Sequence, residues 1–203
     1  MKIPQHPILE QSFKIIDQEI GDHNFNANEY AIVRRVIHST ADFELAKLIK
    51  FSPDAIASGI KALRQGVPII TDVNMVKQGV ISLVEKSFHN PLMSAIDQVL
   101  DSLEGKTRTE TGLINCWQQY PDAIFVFGNA PTALLALCDL INKDIISDKP
   151  ALVIGAPVGF VSVVESKQAL SKISVPQIRI DGRKGGSPAA SAILNALIVL
   201  ACN

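Results

Sequence analysis

Four short apolar runs, each followed by a stretch of helical character, constrain this chain more than any other feature. They are Val67-Pro68-Ile69-Ile70-Thr71, Ile124–Phe127, Leu152–Ile154 and Gln177–Ile180. Leu92–Ile96 is a weaker fifth. A strand that is apolar at successive positions, rather than alternate ones, is covered on both faces. Such strands separated by helices build a parallel sheet with helices above and below. The expectation is one doubly wound, Rossmann-like α/β domain over residues 1–203, a three-layer α/β/α sandwich with a mostly parallel sheet, preceded by N-terminal helices. Ligands of such sheets sit outside the carboxyl ends of the strands. Those ends are Asp72, Gly128-Asn129-Ala130-Pro131, Gly155-Ala156-Pro157 and Asp181–Ser187.

The preceding segment reads as helical. Ile8–Glu19 has helical apolar spacing, and Asn28–Ser39 forms a second helix. Ser52-Pro53-Asp54 reads as an N-cap, a proline at N1 and an early acid, opening a helix that Gly66 ends.

Composition narrows the function classes. Hydrophobic residues are 47% and charged residues 19% of the 203, below the ~25% charge usual in soluble domains. That is enough apolar material for a sizeable core, with apolar surface left for a partner subunit. The 19 basic and 20 acidic residues leave a net charge of −1, with no excess to meet a phosphate backbone, so no nucleic-acid role is expected. The longest nearly apolar runs, Ala151–Val164 and Ala189–Cys202, are interrupted short of the ~18 residues of a membrane span. Met1–Glu10 lacks the pattern of a signal peptide. Cys116, Cys138 and Cys202 lie far apart and outside any CxxC pattern, which favours neither zinc nor disulfides and fits a reducing cytoplasm.

Four segments are able to carry chemistry. In Arg34-Arg35-Val36-Ile37-His38-Ser39, both arginines share a helix face with His38. Cations beside an imidazole disfavour its charged form, and an arriving polyanion reverses that, which suits a general acid. The same residues also read as a solvated basic face with an incidental histidine. Gly128-Asn129-Ala130-Pro131-Thr132-Ala133-Leu134 is a strand-to-helix turn whose free N–H groups hold an anion, or are simply capped. Gly182-Arg183-Lys184-Gly185-Gly186-Ser187-Pro188 is a carboxylate or phosphate cradle, or a flexible turn with Ser187 as cap. Lys106-Thr107-Arg108-Thr109 offers an arginine to a carboxylate, or a surface arginine to water. No histidine pair has metal-ligand spacing, and there is no GxSxG.

Taken in order, the motifs form a series. Glu10-Gln11-Ser12-Phe13 is followed by Arg35-Val36-Ile37-His38-Ser39-Thr40-Ala41-Asp42-Phe43-Glu44 and Ile70-Thr71-Asp72-Val73-Asn74-Met75-Val76. Lys106-Thr107-Arg108, Gly128–Leu134, Pro157-Val158-Gly159-Phe160-Val161, Glu165-Ser166-Lys167 and Gly182–Ser187 complete it. From about residue 9 to the end, this series closely resembles the precorrin-8X methylmutase family of cobalamin biosynthesis, with Ile37–Phe43 closer to the cobalt-precorrin-8 branch. The resemblance implies a homodimer with its active site near the interface. It implies migration of a methyl group from C11 to C12 of a tetrapyrrole carrying several carboxylates, giving a cobyrinic acid. No donor, redox cofactor or protein-bound metal is implied; any cobalt arrives within the substrate. His38 matches the catalytic histidine, donating a proton to a ring nitrogen, while Ser12, Arg35 and Arg108 match substrate-contacting positions. Asp72, Asn129, Thr132 and Arg183 are further substrate-binding candidates. Asn90–Asp97 departs from the family pattern, which puts the shape of one wall in doubt. A corrinoid carrier that keeps the site without turnover is the alternative. A nucleotide-binding protein using Gly182–Ser187 is a third, opposed by the lack of GxGxxG after the first strand.

Overall fold

In the computed structural model, which describes residues 6–143 and 148–203, the apolar runs form one six-stranded sheet. The strands are β1 (Ile49–Phe51), β2 (Ile69–Thr71), β3 (Leu92–Ser94), β4 (Ile124–Phe127), β5 (Leu152–Gly155) and β6 (Gln177–Ile180), in the spatial order β1-β6-β5-β4-β2-β3. All neighbours are parallel except β1, which runs antiparallel to β6. Every residue of β2, β4 and β5 is buried, as an unbroken apolar run requires.

β1 is not visible in the sequence. It is three residues long, and Lys50 at its centre is exposed, the usual form of an edge strand. Ser52 does not cap the next helix. Its Oγ instead accepts from the Gln177 N–H at 2.9 Å and ties the end of β1 to β6. The helix begins at Ala55, with Asp54 as an N-cap that makes no side-chain bond.

Alternate residues of each strand feed opposite cores. Ile69, Ile124, Val126, Leu152 and Ile154 face a layer of α1 (Pro7–Glu19), α2 (Ala27–Thr40), α3 (Leu45–Leu48), α4 (Ala55–Arg64), α5 (Asn74–Glu85) and α9 (Ser187–Cys202). Ile70, Phe125, Phe127 and Val153 face α6 (Arg108–Gln119), α7 (Pro131–Asn142) and α8 (Val163–Ser171). α9 packs against α2, α4 and α5 and is buried along most of its length. Leu194, Leu197 and Ile198 are fully buried, at roughly 1.5–3 kcal/mol of transfer free energy each. α5 approaches α9 so closely that a Cβ on Gly79 would lie 2.5 Å from Ser191 Oγ.

The five parallel strands stand in the order second-first-third-fourth-fifth, counted along the chain. β2 therefore sends its chain to one face, into α5, while its neighbour β4 sends its chain to the other, into α7. The carboxyl ends of β2 and β4 flank the topological switch point, where open α/β sheets form their ligand crevice.

Candidate functional site

A cleft of about 890 Å³ opens at this edge of the sheet. Its walls come from α1, α2, α5 and α9. Arg35, His38 and Ser39 line it from α2; Asn74, Met75 and Gln78 from α5; Ser187, Ser191 and Asn195 from α9. No Asp or Glu lines it. The cleft thus combines a cation, an imidazole and neutral hydrogen-bonding side chains with apolar surface, a lining suited to a large anionic ligand.

α2 positions the two groups of greatest chemical interest. A capping box starts the helix: Asn26 accepts from the Asn28 and Glu29 N–H groups, and Glu29 accepts from the Asn26 N–H. Ile32, Val33, Val36 and Ile37 bury the opposite face. That fixes the helix rotation and leaves Arg35 and His38, three residues apart, turned to the cleft. His38 packs edge-on against Phe13, with ring centroids 5.7 Å apart. Burial, and secondarily the Arg35 charge, hold its pKa below the ordinary 6.5. Partial burial also lowers the pKa of Arg35, which has no hydrogen-bond or ion-pair partner among the described residues.

Arg34 does not join them. It pairs with Asp17 at 3.0 Å and lies 4.3 Å over the Phe13 ring. One of the two cations expected beside His38 is thus committed to holding α1 on α2.

Ser12 is one helical turn from Leu9, which lines the cleft, and its hydroxyl donates to the Ile8 carbonyl at 2.9 Å. The other candidates lie elsewhere. Arg108 is the exposed first residue of α6. Thr132, in the first turn of α7, sits 3.2 Å from Thr107 Oγ1. The Asn129 side chain is exposed beside it. Arg108 and Thr132 belong to the opposite helix layer, and Asn129 to the turn that leads into it. Arg183 is exposed and stacks on Phe160, 5.6 Å from its ring centroid.

Asp72 holds the chain rather than a ligand. It is 1% exposed, and its Oδ2 accepts from the N–H groups of Gly128, Asn129 and Ala130 at 2.6–3.0 Å. Its Oδ1 accepts from the Val73 N–H. Burial drives its pKa up, while the four N–H bonds pull it down. The anion seat expected at Gly128–Ala130 is real, and a side chain of the protein fills it.

The 182–187 loop is braced rather than flexible. Lys167 is 1% exposed, and its Nζ donates to the Gly182 and Lys184 carbonyls at 2.8 and 2.7 Å. Burial lowers its pKa to about 8. Lys184 pairs with Asp42 and Glu44, each at 2.7 Å, fastening the loop to the end of α2. Ser187 is not a cap: Gly186 is the N-cap, and Ser187 Oγ is buried with no partner.

The atypical 90–97 segment reaches the cleft through one contact. Asn74 Nδ2 donates to Asp97 Oδ1 at 2.9 Å, which orients a lining side chain. Sequence reasoning missed Gln78, Ser191 and Asn195. Their signal was present: residues 187, 191 and 195 recur every four positions on an otherwise apolar helix.

Among the described residues, no three His, Cys, Asp or Glu side chains are placed to share a metal, and no helix is long and apolar enough to cross a membrane. Fold and cleft define a doubly wound α/β protein with a cleft suited to a sizeable organic anion. Residues 7–200 match the model of the precorrin-8X methylmutase family. The chain is 54% identical over 211 residues to a cobalt-precorrin-8 methylmutase of Synechocystis sp., covering 97% of this chain and 96% of that one. It is 45% identical to a cobalt-precorrin-8 methylmutase of Priestia megaterium, covering 99% and 90%. A solved precorrin-8x methyl mutase from Thermus thermophilus superposes with a TM-score of 0.88 at 43% identity, covering 96% and 95%. The chain belongs to the precorrin-8X methylmutase family and is an isomerase of cobalamin biosynthesis.

Proposed function

We propose that the chain converts cobalt-precorrin-8 to a cobyrinic acid by moving a methyl group from C11 to C12 of the ring, with His38 as the proton donor. One observation carries this reading: Arg35 and His38 share a helix face, open into the large cleft, and Arg35 has no partner among the described residues. Before substrate arrives, burial and Arg35 favour the neutral imidazole. A substrate carboxylate that pairs with Arg35 cancels the repulsion, and the His38 pKa rises. The imidazolium then donates to a ring nitrogen and draws electron density from the migrating centre. The proton returns once the methyl group has moved. The reaction is internal to one molecule, so it consumes no donor, redox cofactor or protein-bound metal. Positioning of a rigid ring and a placed charge supply most of the rate.

The chain acts as a homodimer with the cleft at the interface. Met75, Leu100, Leu103, Phe160 and Val161 are exposed apolar side chains, all on segments that follow the carboxyl ends of the parallel strands. A second copy that covers this rim brings Arg108, Asn129, Thr132 and Arg183 to the substrate's outer carboxylates, while Ser12 and Arg35 bind from within. The free cysteines Cys116 and Cys138, both buried, fit a cytoplasmic enzyme.

The test is conversion of excess cobalt-precorrin-8, and separately of metal-free precorrin-8X, followed by visible absorbance. Repeated turnover with preference for the cobalt form supports the reading. A change that stops at one equivalent makes the chain a corrinoid carrier. Mixing His38→Ala with Arg108→Ala chains tests the shared site: recovered activity supports it, and none counts against it.

A further inference from the structure

The start of α9 has all the features of a carboxylate seat except an occupant. Gly186 donates its own N–H to the Ala156 carbonyl, and the first intrahelical bond runs from the Ala190 N–H to the Gly186 carbonyl. Pro188 has no N–H. That leaves the N–H groups of Ser187 and Ala189 without a partner among the described residues. The helix is 16 residues long, so its N-terminal partial positive charge is fully developed.

The second observation is independent of the helix. Ser187 lines the cleft and is 6% exposed, yet its Oγ has no hydrogen-bond partner. A buried hydroxyl without a partner costs free energy in the unliganded protein and marks a group awaiting one. Two turns on, Asn195 repeats the condition: its Nδ2 donates to the Gly79 carbonyl, while its buried Oδ1 has no partner. The seat also lies against the α2 wall, where Ser39 Oγ donates to the Pro188 carbonyl at 3.3 Å.

We infer that the Ser187 hydroxyl and the free N–H groups at the start of α9 bind one acetate or propionate carboxylate of the substrate, fixing the ring's rotation relative to His38. The inference rests on the corrinoid reading of the cleft. It adds a hydroxyl and two backbone donors to the single cation, Arg35, that lines this side. Lys167 and Lys184 serve the seat indirectly, as they hold the 182–186 turn from which α9 starts.

The experiment measures cobyrinic acid affinity and thermal melting for the wild-type chain, Ser187→Ala and Ser187→Asp. Ser187→Ala is expected to bind about tenfold more weakly, the loss of one hydrogen bond to a charged group. Its melting temperature is expected to hold or rise, because the lost hydroxyl has no partner to leave behind. Ser187→Asp places the protein's own carboxylate at the seat; it is expected to melt higher and bind more weakly still. Ser187→Ala binding as tightly as wild type overturns the seat and leaves the corrinoid cleft standing. A lowered melting temperature with unchanged affinity per folded molecule assigns Ser187 a structural role and also overturns it. A wild-type chain that does not bind cobyrinic acid overturns the reading of the cleft and the seat with it.

Discussion

Two helix starts stand side by side at the carboxyl edge of the sheet, and the molecule uses them in opposite ways. α7 and α9 each follow a glycine-containing turn and carry proline in their first two positions. They are so close that a Cβ on Gly128 would lie 2.7 Å from the Ser187 Cα, which is why position 128 tolerates only glycine. At α7 the donors are met by Asp72, a buried carboxylate of the protein. At α9 the Ser187 and Ala189 N–H groups have no partner among the described residues, and Ser187 lines the cleft. The first arrangement ties the switch point together, and the second is the carboxylate seat we infer. The difference teaches that a helix start is open to a ligand only where no side chain of the chain itself reaches it.

The largest expected effect comes from breaking the closed member of the pair. Asp72→Ala leaves four N–H groups without a partner, two of them buried, and is expected to lower unfolding free energy by at least about 3 kcal/mol in urea titration. A variant as stable as wild type would remove the claim that α7 is internally neutralised.

The next effect sharpens the open member. Arg35→Ala is expected to weaken cobyrinic acid binding by roughly 1.5–3 kcal/mol in calorimetric titration, with the fold intact. Arg34→Ala is the matched control. It breaks a partly exposed pair with Asp17, so it is expected to cost about 0–1 kcal/mol of stability and leave affinity alone. Equal affinity losses for the two would show that the cleft does not distinguish a free cation from a paired one.

The last effect is read as a pH slope and concerns Lys167, which braces the turn before α9. Its pKa is about 8 in the fold, against an ordinary 10.5 when unfolded. Between those values the unfolded chain holds a proton that the folded chain has released, so stability rises with pH across that window. Denaturant melts from pH 8 to 10.5 are expected to show this slope in the wild type and its loss in Lys167→Met. A slope that persists in the variant would place the linkage elsewhere.

Much of this was legible in the residues, and the rest was hidden for definable reasons. The apolar runs at 67–71, 124–127 and 152–154 announce doubly covered parallel strands, because their side chains must satisfy two cores at once. The three-residue edge strand β1 has no such requirement and left no trace. Arg35 and His38 were legible because helical spacing is local. The sequence shows that the Asp72 carboxylate ends a strand, but not that it is aimed at the turn before α7, 56 residues later. Arg34 was placed beside His38 by the same spacing, and only the packing of α1 turned it toward Asp17. The polar stripe on α9 is visible in the sequence only as an interruption of an apolar run, since its meaning depends on the cleft that α2 and α5 build around it.

The central claim is that His38 is the proton donor in a cleft that binds without it. The direct measurement is steady-state turnover of cobalt-precorrin-8 by His38→Ala beside its affinity for cobyrinic acid. The account predicts a turnover loss of at least about a hundredfold, the usual worth of a placed general acid, with affinity largely kept. A folded His38→Ala chain that turns over at the wild-type rate would contradict it.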